Sequence, residues 1–443
     1  MACPVCRLEV RAGLLQGALA LSAPIAGLVA ANVPGWGPEH GLCSDCVRRF
    51  TRAHAYLVSH RTRMARFPLR VLPTPLRLGA LERYRGRGVT IAFLDSGFHA
   101  HPDLVQPKDR ILRYVDVTRR RAPRSELEVP DESSWHGMMT SVVACGNGRL
   151  SEGLYRGLAS EANLVLVKCG TVRRIVHDDI RRGLDWVIRN RRRYGIRIAN
   201  VSCGGDYVAS YLDDGLSQAV ERATREGILV CAAVGNLGHA PGHPVLPPAS
   251  APSALTVGGL DDKNQLAFAD YGMYHSSYGP TVDGLQKPEV LAPGIWIAAP
   301  ILPGTTAATQ ARLLARLSAA EPGAIGPILA AGAGIDAELD AAASLGPHAV
   351  AERVQRRIRE LNVLSEHYKH VDGTSFAAPI VSSVAAQMLE ARPDLAPRQV
   401  KQLMIQTARR LPGVEVDRQG WGVVDPERAV LAARDSGKPA RQH

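Results

Sequence analysis

The amino-acid sequence predicts a doubly wound α/β fold with a mainly parallel sheet, a small N-terminal cysteine module and a helical insertion. In the middle of the chain, short continuous apolar runs alternate with amphipathic segments, which favours a parallel sheet covered on both faces. Two Cys-x-x-Cys pairs near the N-terminus predict the module. The predicted boundaries are 1–60 for the module, 66–302 and 370–435 for the main domain, and 303–369 for the insertion.

The composition is that of a globular protein. The 443 residues are 46% hydrophobic and 21% charged, with 42 Gly and 30 Pro. These proportions exclude wholesale disorder, a collagen-like chain and a disulfide-stapled miniprotein. Lys and Arg total 53 against 42 Asp and Glu, which gives a net charge of +11. Because no recognisable nucleic-acid module accompanies this charge, we expect a solvated basic surface and no specific nucleic-acid partner; nucleic-acid targeting is the alternative.

Four cysteines near the N-terminus have the spacing of a zinc site. Cys3 and Cys6 form one Cys-x-x-Cys pair, and Cys43 and Cys46 form the other. Each pair can place two thiolates on one metal ion, so the four together predict a tetrahedral structural zinc site. Redox-active dithiols or two disulfides are the alternatives. The other four cysteines lie singly in apolar segments and are expected to be buried thiols.

The apolar stretch between the two cysteine pairs allows two interpretations. Residues 13–33 are rich in Ala and Leu and predict a helical hairpin that packs on the cysteine pairs. The alternative is a secretory signal in residues 1–32, because Arg7 and Arg11 precede the apolar run. Polar residues and a proline interrupt the run, which is too short and too broken for a membrane span. We therefore expect a cytoplasmic protein, with secretion as the alternative.

Four apolar runs and two amphipathic segments define the predicted sheet and its helices. The predicted strands lie within 89–95, 163–169, 196–204 and 228–236. The helices lie within 177–195 and 212–227, where apolar residues recur at helical spacing. In a fold of this kind, functional residues lie at the carboxyl ends of the strands.

Three short motifs place reactive side chains at such positions. Asp95 ends the first predicted strand within an Asp-Ser-Gly motif, where a carboxylate can be held rigidly. His136 stands at the start of an apolar helix, with its ring free to face a neighbour. Ser375 follows Gly-Thr at the start of another apolar helix, where backbone N–H groups and the helix dipole favour developing negative charge.

Together these motifs resemble those of the subtilisin-like serine proteases (subtilases). The chain order Asp, His, Ser is the same. Two further segments match the family: residues 200–205 are similar to its substrate-binding strand, and residues 232–236 are similar to the segment that carries its oxyanion asparagine. The resemblance spans roughly residues 66–430 and implies a subtilisin-like fold.

The resemblance implies a role for each matching residue. Ser375 would be the nucleophile, His136 the general base, and Asp95 the group that orients the imidazole. The side chain of Asn236 and the N–H of Ser375 would stabilise the oxyanion. Three residues would pair through their backbone with an extended peptide: Ser202, Cys203 and Gly204. Four residues would line the primary specificity pocket: Ala232, Ala233, Val234 and Gly235.

The predicted function is therefore hydrolysis of peptide bonds in extended polypeptides through an acyl-enzyme, with no cofactor for catalysis. Calcium is common in this family, but no calcium site can be assigned from this sequence. The alternative function is a subtilisin-fold binding or regulatory protein with weak hydrolysis, targeted by its N-terminal module. The insertion is expected on the catalytic face, as an inert elaboration, a lid or a docking surface. A partner protein is expected at either the module or the insertion.

A run of arginines separates the predicted catalytic aspartate and histidine. Arg119, Arg120, Arg121 and Arg124 stand among acidic residues and predict an exposed loop on the substrate side. A solvated charge run is the simplest interpretation. A preference for acidic substrates or a docking partner is the alternative, because arginines pair well with carboxylates.

Overall fold

The structure is a computed structural model that describes residues 2–6, 9–11, 15–16, 21–240, 242–267 and 270–437. Its centre is an eight-stranded sheet. The strands described are β1 (Leu15–Gln16), β2 (Leu42–Cys43), β3 (Thr90–Asp95), β4 (Ile111–Asp116), β5 (Asn163–Lys168), β6 (Gly170–Thr171), β7 (Arg174–Ile175), β8 (Ile196–Val201), β9 (Leu229–Ala233), β10 (Leu255–Asp261), β11 (Gly272–Met273), β12 (Gly279–Pro280), β13 (Gln286–Lys287), β14 (Val290–Pro293), β15 (Ile297–Pro300) and β16 (Tyr368–Val371).

The α-helices surround this sheet and build the module and the insertion. Those described are α1 (Ala23–Asn32), α2 (Ser44–Ser59), α3 (Arg61–Ala65), α4 (Thr74–Leu78), α5 (Pro102–Val105), α6 (Ser134–Cys145), α7 (His177–Tyr194), α8 (Gly215–Arg225), α9 (Thr306–Ser318), α10 (Pro322–Ala331), α11 (Ala337–Ala341), α12 (Pro347–Glu360), α13 (Thr374–Ala391), α14 (Pro397–Thr407), α15 (Val416–Gln419) and α16 (Pro426–Asp435). None of these described helices has the length and apolar character needed to cross a membrane.

The strand order of the central sheet confirms the predicted doubly wound, mainly parallel fold. The order is β11–β10–β9–β8–β3–β5–β4, with β14 also paired to β10. The pairs are parallel apart from β10 with β11. Strand β3 lies between β5 and β8, so its last residue, Asp95, lies near the middle of the carboxyl edge of the sheet.

Both faces of the sheet are covered by helices, which explains the continuous apolar runs in the sequence. Helices α6 and α13 cover one face, and α7 and α8 cover the other. Successive residues of β3 show the alternation: Phe93 belongs to the core under α6 and α13, whereas Leu94 belongs to the core under α7 and α8. Since side chains of a strand alternate between faces, a strand buried on both sides is apolar at most of its positions.

The N-terminal module differs in one part from the sequence prediction. The predicted helical hairpin over 13–33 is wrong at Leu15–Gln16, which form strand β1 and pair with β2 beside the second cysteine pair. The pairing satisfies backbone groups that a helix would otherwise satisfy internally. Helix α1 forms the second arm as predicted and packs on α2. Residues 13–14 and 17–20 of the predicted hairpin lie outside the described residues.

Helices α9 to α12 lie between β15 and β16, where the sequence predicts a helical insertion. Their apolar sides form one core that includes Leu314, Leu329 and Val354. The sequence pattern does not predict helix α10, because its ten residues contain two prolines and two glycines. Packing against α9 and α12 stabilises it in spite of this low helix propensity. The division of the chain at residues 60, 302 and 370 stays a prediction.

A buried ion pair joins the segment after the module to the turn between β10 and β11. The guanidinium of Arg77 contacts the carboxylate of Asp262, and both side chains are almost fully buried. Arg77 also donates a hydrogen bond to the carbonyl oxygen of Trp296 at 2.9 Å. From the module, the buried Arg49 donates to the carbonyl oxygen of Arg77. This hydrogen bond connects the module to the main domain in a region without solvent.

Replacing Asp262 should destabilise the protein, because it leaves a buried guanidinium without its counter-charge. We expect Asp262→Asn to lower the free energy of unfolding by about 3 kcal/mol. The matched control is Glu427→Gln, which removes the partner of the partly exposed Arg52 and should cost less than about 1 kcal/mol. Urea denaturation followed by circular dichroism measures both values. Equal losses in the two variants would show that burial adds nothing to the importance of the Arg77–Asp262 pair.

Candidate active site

The carboxylate of Asp95 holds the imidazole of His136. Asp95 is fully buried, and its Oδ1 accepts hydrogen bonds from His136 Nδ1 and from the N–H of Ser96, both at 2.7 Å. Its Oδ2 accepts from the hydroxyl of Thr140 at 3.1 Å. An ionised carboxylate only accepts hydrogen bonds, so Nδ1 carries the proton and Nε2 is left for other partners. Sequence reasoning missed Thr140, because one hydroxyl on an apolar helix carries no local signal.

Two glycines allow β3 and α6 to approach closely enough for this contact. A Cβ atom at Gly137 would lie 2.1 Å from the carbonyl oxygen of Gly97. A Cβ atom at Gly97 would lie 2.7 Å from the carbonyl oxygen of Ser133. Both neighbours are backbone atoms, which cannot move without displacing their own elements. The glycines that follow the Asp95 and His136 motifs are therefore required by close packing.

The protonation equilibrium of His136 depends on two opposing effects. Burial of the imidazole acts to lower its pKa, because the charged form loses water. The negative charge of Asp95 and the hydrogen bond that it accepts act in the other direction. The two contributions of Asp95 together exceed the effect of burial, so the pKa of His136 is raised above its usual value.

Ser375 is the accessible point of an otherwise buried helix. Between Thr374 and Leu389 of α13, every residue except Ser375 is buried. Gly373 precedes the helix with a φ of 141°, a backbone conformation that favours glycine. The imidazole of His136 lies beside this helix start, because its ring centroid is 5.7 Å from that of Phe376. The structure thus brings His136 and the first turn of α13 together.

Ser202 and Ser375 are joined by two reciprocal hydrogen bonds. The hydroxyl of Ser375 donates to the carbonyl oxygen of Ser202 at 3.1 Å, and the hydroxyl of Ser202 donates to the carbonyl oxygen of Ser375 at 2.8 Å. The second bond is possible because Pro379, four residues after Ser375, has no N–H to bond that carbonyl within the helix. The proline of the Ser375 motif therefore leaves a carbonyl oxygen free at the start of the helix, and Ser202, just after β8, donates to it.

Two further hydrogen bonds between buried side chains hold the hydroxyl of Ser202 in place. Asn200 Nδ2 donates to the Ser202 hydroxyl at 2.9 Å, and Asn200 Oδ1 accepts from the hydroxyl of Ser382 at 2.9 Å. All three side chains are almost fully buried. Each hydrogen bond in such a site is needed, because an unpaired polar atom there is costly. Sequence reasoning missed Ser382, since it lies two helical turns beyond Ser375.

The amide of Asn236 is fixed against the residue before Ser375. Its Oδ1 accepts hydrogen bonds from the N–H of Thr374 at 3.0 Å and from the hydroxyl of Thr374 at 2.8 Å. The N–H group can only donate, so this contact determines which amide atom is the oxygen. The Nδ2 atom of Asn236 is then the donor that remains.

One cavity of about 170 Å³ collects most of the residues that the sequence predicts for substrate binding. Its predicted lining residues are Ser202, Cys203, Gly204, Ala233, Val234, Gly235, Asn236 and Ser375. Five lining residues were missed because they come from distant turns or carry no motif of their own: Leu237, Pro244, Leu246, Ser277 and Thr374. The insertion 303–369 contributes no residue to this lining within the described part of the chain.

Ala232 requires a correction. The sequence resemblance places it in the lining of the pocket, but it is fully buried within β9 and does not belong to the lining. Its methyl group packs in a small apolar cluster with Val245 and Ala249. Ala233, the last residue of β9, and Val234 after it reach the cavity, whereas Ala232 lies one position further inside the strand.

A comparison with known families identifies this fold. The model of the subtilase family matches residues 86–422, which include all the residues that surround the cavity. The chain belongs to the subtilase family. The sequence-based resemblance to subtilisin-like serine endopeptidases is thereby confirmed at the level of the family.

Individual subtilases are similar to this chain at moderate identity. Serine protease AprX of Bacillus subtilis is 29% identical over 357 residues, which cover 78% of this chain and 66% of AprX. The chain thus spans slightly less than two thirds of that relative. Subtilisin BL of Lederbergia lenta is 31% identical over 51% of this chain and 70% of its own length.

A solved subtilase structure shows the same fold. Fervidolysin from Fervidobacterium pennivorans, a keratinolytic enzyme related to subtilisin, superposes with a TM-score of 0.54 at 20% identity. The superposition covers 81% of this chain and 45% of that one. At this identity the likeness concerns the fold alone.

The four N-terminal cysteines lie outside the residues that match the subtilase family and form a cluster of their own. The Sγ atoms of Cys3 and Cys46 are 3.8 Å apart, and those of Cys6 and Cys43 are 3.7 Å apart. All four lie within 4.8 Å of one another, and all four residues are buried. The spacing predicted from the sequence therefore does bring the four thiols to one point.

Removing the charge of Asp95 should lower the pKa of His136, because burial is then the dominant effect. We expect Asp95→Asn to move this pKa from above the usual value of imidazole to below it. The imidazole of the variant would then be neutral at pH values where that of the parent protein is charged. Histidine NMR titration measures the shift, with the signal assigned by its loss in His136→Gln.

The matched control for this titration is Glu128→Gln, which removes an exposed carboxylate that does not contact the imidazole. It should leave the pKa of His136 unchanged. An unchanged or higher pKa in Asp95→Asn would show that Asp95 does not determine the charge of this histidine.

Proposed function

We propose that this subtilase is a serine endopeptidase that cleaves extended polypeptides through a covalent acyl-enzyme. One observation carries the proposal: Ser375, Asn236 and the segment 202–204 line a single cavity. His136, which is bonded to Asp95, lies beside the first turn of α13, the helix that contains Ser375. These are the parts that acyl transfer needs: a nucleophile, an oriented base, donors for an oxyanion and a substrate-binding surface.

In the proposed reaction, Ser375 Oγ attacks the carbonyl carbon of the scissile peptide bond while its proton moves to His136 Nε2. Asp95 keeps Nδ1 protonated and stabilises the imidazolium that forms. The tetrahedral intermediate collapses when His136 returns the proton to the leaving amine, which breaks the C–N bond. A water molecule then attacks the acyl-enzyme by the same route, and the carboxylic acid product leaves.

Two donors are proposed for the oxyanion. The N–H of Ser375 lies in the first turn of α13, where backbone N–H groups have no intrahelical acceptor. Asn236 supplies Nδ2, since its Oδ1 is occupied by Thr374. Both donors are held before substrate arrives, which is the condition for electrostatic stabilisation of a transition state. Losing one such donor typically reduces turnover by about 100- to 1,000-fold.

The proposed substrate is an extended polypeptide with an apolar side chain in the 170 Å³ cavity. The backbone of 202–204 continues from β8 and is exposed at Gly204, so it can pair with an added strand. Most side chains that line the cavity beside it are apolar, among them Val234, Leu237 and Leu246. Apolar lining favours an apolar residue before the scissile bond.

Fluorophosphonate labelling tests the proposed nucleophile and separates the enzyme from the binding-protein alternative. The parent protein should take up one label per chain, because the reagent traps an activated serine. Ser375→Ala should take up none and should lose peptide hydrolysis. Ser59→Ala removes an exposed hydroxyl that lies outside the cavity lining and should keep both properties. A parent protein that neither reacts nor hydrolyses peptides would favour the binding or regulatory alternative.

We further infer that the four clustered cysteines bind one structural zinc ion. Four thiolates at about 2.3 Å from a tetrahedral zinc ion lie about 3.8 Å from one another. The separations of 3.7 and 3.8 Å in the structure support this geometry. They are far from the bond length of about 2.05 Å that disulfides require. Leu266 and Ala267 of the main domain pack into the same cluster, so the ion would stabilise the contact between module and main domain.

Intact mass measurement under native conditions tests the zinc proposal. The full chain should retain one zinc ion, which is lost when the protein is denatured. Cys43→Ser should lose the ion and unfold at a lower temperature. Cys231→Ser, which changes a buried thiol outside the cluster, should retain it. A metal-free parent protein with two disulfides would disprove the proposal.

A further inference from the structure

A basic cleft lies at the edge of the central sheet, away from the cavity of the active site. It has a volume of about 700 Å³ and lies between β4, α7 and the loop 119–123. We call it the arginine cleft, after the six arginines in its lining: Arg113, Arg119, Arg120, Arg121, Arg182 and Arg189. Three of them belong to the arginine run that separates Asp95 from His136 in the sequence, and the catalytic site does not use them.

Most of the positive charge in the arginine cleft is uncompensated. Among the described residues, Asp116 is the one carboxylate of the lining, and it is buried and bonded to Arg119 at 2.8 Å. Arg119 also pairs with Glu126, and Arg182 pairs with Asp179. The other four guanidinium groups are exposed and form no ion pair within the described part of the chain: Arg113, Arg120, Arg121 and Arg189. Four exposed guanidinium groups in one cleft favour an anionic ligand with several carboxylates.

The floor of the arginine cleft is the free edge of a β-strand. Strand β4 is the last in the sheet order and pairs with β5 on one side only. Strand residues 113–116 line the cleft, and the carbonyl oxygen of Ile111 in the same strand accepts a hydrogen bond from Arg124. An exposed strand edge can accept an added strand through backbone hydrogen bonds. The half-buried Trp186 supplies an apolar wall beside it. Backbone groups of this kind match a polypeptide better than a nucleic acid.

A second cleft adjoins the arginine cleft. Its volume is about 930 Å³, and it shares Asp116 and Arg119 with the arginine cleft. At its other end it is lined by Asp131 and by residues 170–171. Asp131 accepts a hydrogen bond from the N–H of Ser134, the first residue of the helix that carries His136. The second cleft therefore lies between the arginine cleft and the start of that helix. Its own lining carries five carboxylates, so it suits the acidic part of a bound segment less well than the arginine cleft does: Asp116, Glu126, Glu128, Asp131 and Asp179.

We propose that the arginine cleft is an exosite that binds an acidic, extended segment of the polypeptide substrate. Carboxylates of the segment contact the four unpaired arginines, and its backbone lies along the free edge of β4. Cleavage of that substrate at Ser375 rests on the proposed function, but binding in the cleft does not. Binding is therefore tested in a protein that cannot hydrolyse the probe.

Binding is measured by fluorescence anisotropy in 0.1 M salt. The test uses the full-length Ser375→Ala protein and a fluorescein-labelled decapeptide of alternating Glu and Thr. The peptide should bind, and its analogue with Gln in place of Glu should bind at least tenfold more weakly. The combined variant Arg113→Gln, Arg120→Gln, Arg121→Gln, Arg189→Gln should reduce affinity at least tenfold. The single reversal Arg120→Glu should reduce it as well, and thermal unfolding verifies that both variants are folded.

The matched control removes the same charge from other exposed positions. Arg312→Gln, Arg316→Gln, Arg359→Gln and Arg398→Gln, combined in one variant, should leave the affinity within twofold. Equal losses in the two fourfold variants would reduce the effect to net charge and overturn the proposal. Absence of binding, or tighter binding of a ten-nucleotide single strand than of the peptide, would also overturn the proposal.

In the active protein, an acidic extension on a peptide substrate should lower KM with little change in kcat. A failure of this effect alone would count against delivery of the substrate to Ser375 and not against the binding site.

Discussion

Helix α13 can begin at the surface of the sheet only because its first polar groups find partners on three neighbouring segments. The N–H of Gly373 donates to the carbonyl oxygen of Gly294 at 2.8 Å, and the N–H of Thr374 donates to Asn236. The carbonyl oxygen of Ser375 accepts from Ser202. An apolar helix buried on all sides cannot turn to solvent for these bonds, so the partners are obligatory. The same contacts place Ser202, Asn236 and Ser375 around one cavity. The geometry of the candidate active site therefore follows from the hydrogen bonds that the first backbone groups of α13 require.

This arrangement also sets the electrostatic conditions at the site. Dense packing of α13 and α6 on the sheet leaves the Asp95 carboxylate fully buried, and Gly97 and Gly137 allow the end of β3 and the start of α6 to come within contact distance. Burial alone would favour a neutral imidazole at His136. The adjacent carboxylate reverses this preference, which leaves the histidine able to accept a proton and to hold it during a reaction. Packing and charge therefore act on His136 in opposite directions, and its chemistry depends on the balance between them.

The sequence was sufficient for those parts of the structure that depend on local patterns. The strands β3, β5, β8 and β9 appear where continuous apolar runs predicted them. Asp95 ends β3, and Ser202 and Asn236 follow the ends of β8 and β9, whereas His136 and Ser375 lie at the starts of α6 and α13. The supporting residues were not accessible in this way. Thr140, Ser382 and the Arg77–Asp262 pair acquire their roles only through contacts between distant segments. Ala232 shows the limit of motif transfer, because a motif gives the order of residues but not which of them reach a cavity. Helix α10 shows the limit of propensity, since tertiary packing compensates for its prolines and glycines.

The contacts of the cysteine cluster indicate how the module acts on the rest of the protein. The cluster shares its apolar core with Leu266, and Asn32 accepts a hydrogen bond from the N–H of that residue at 2.9 Å. Leu266 lies in the turn after β10, and β10 pairs with β9, the strand that leads to Asn236. The module therefore contacts the turn that follows β10, and the burial of Leu266 and the hydrogen bond to its N–H stabilise that turn. The contribution of the module is thus to the stability of this part of the sheet, since none of its described residues lines the cavity around the start of α13.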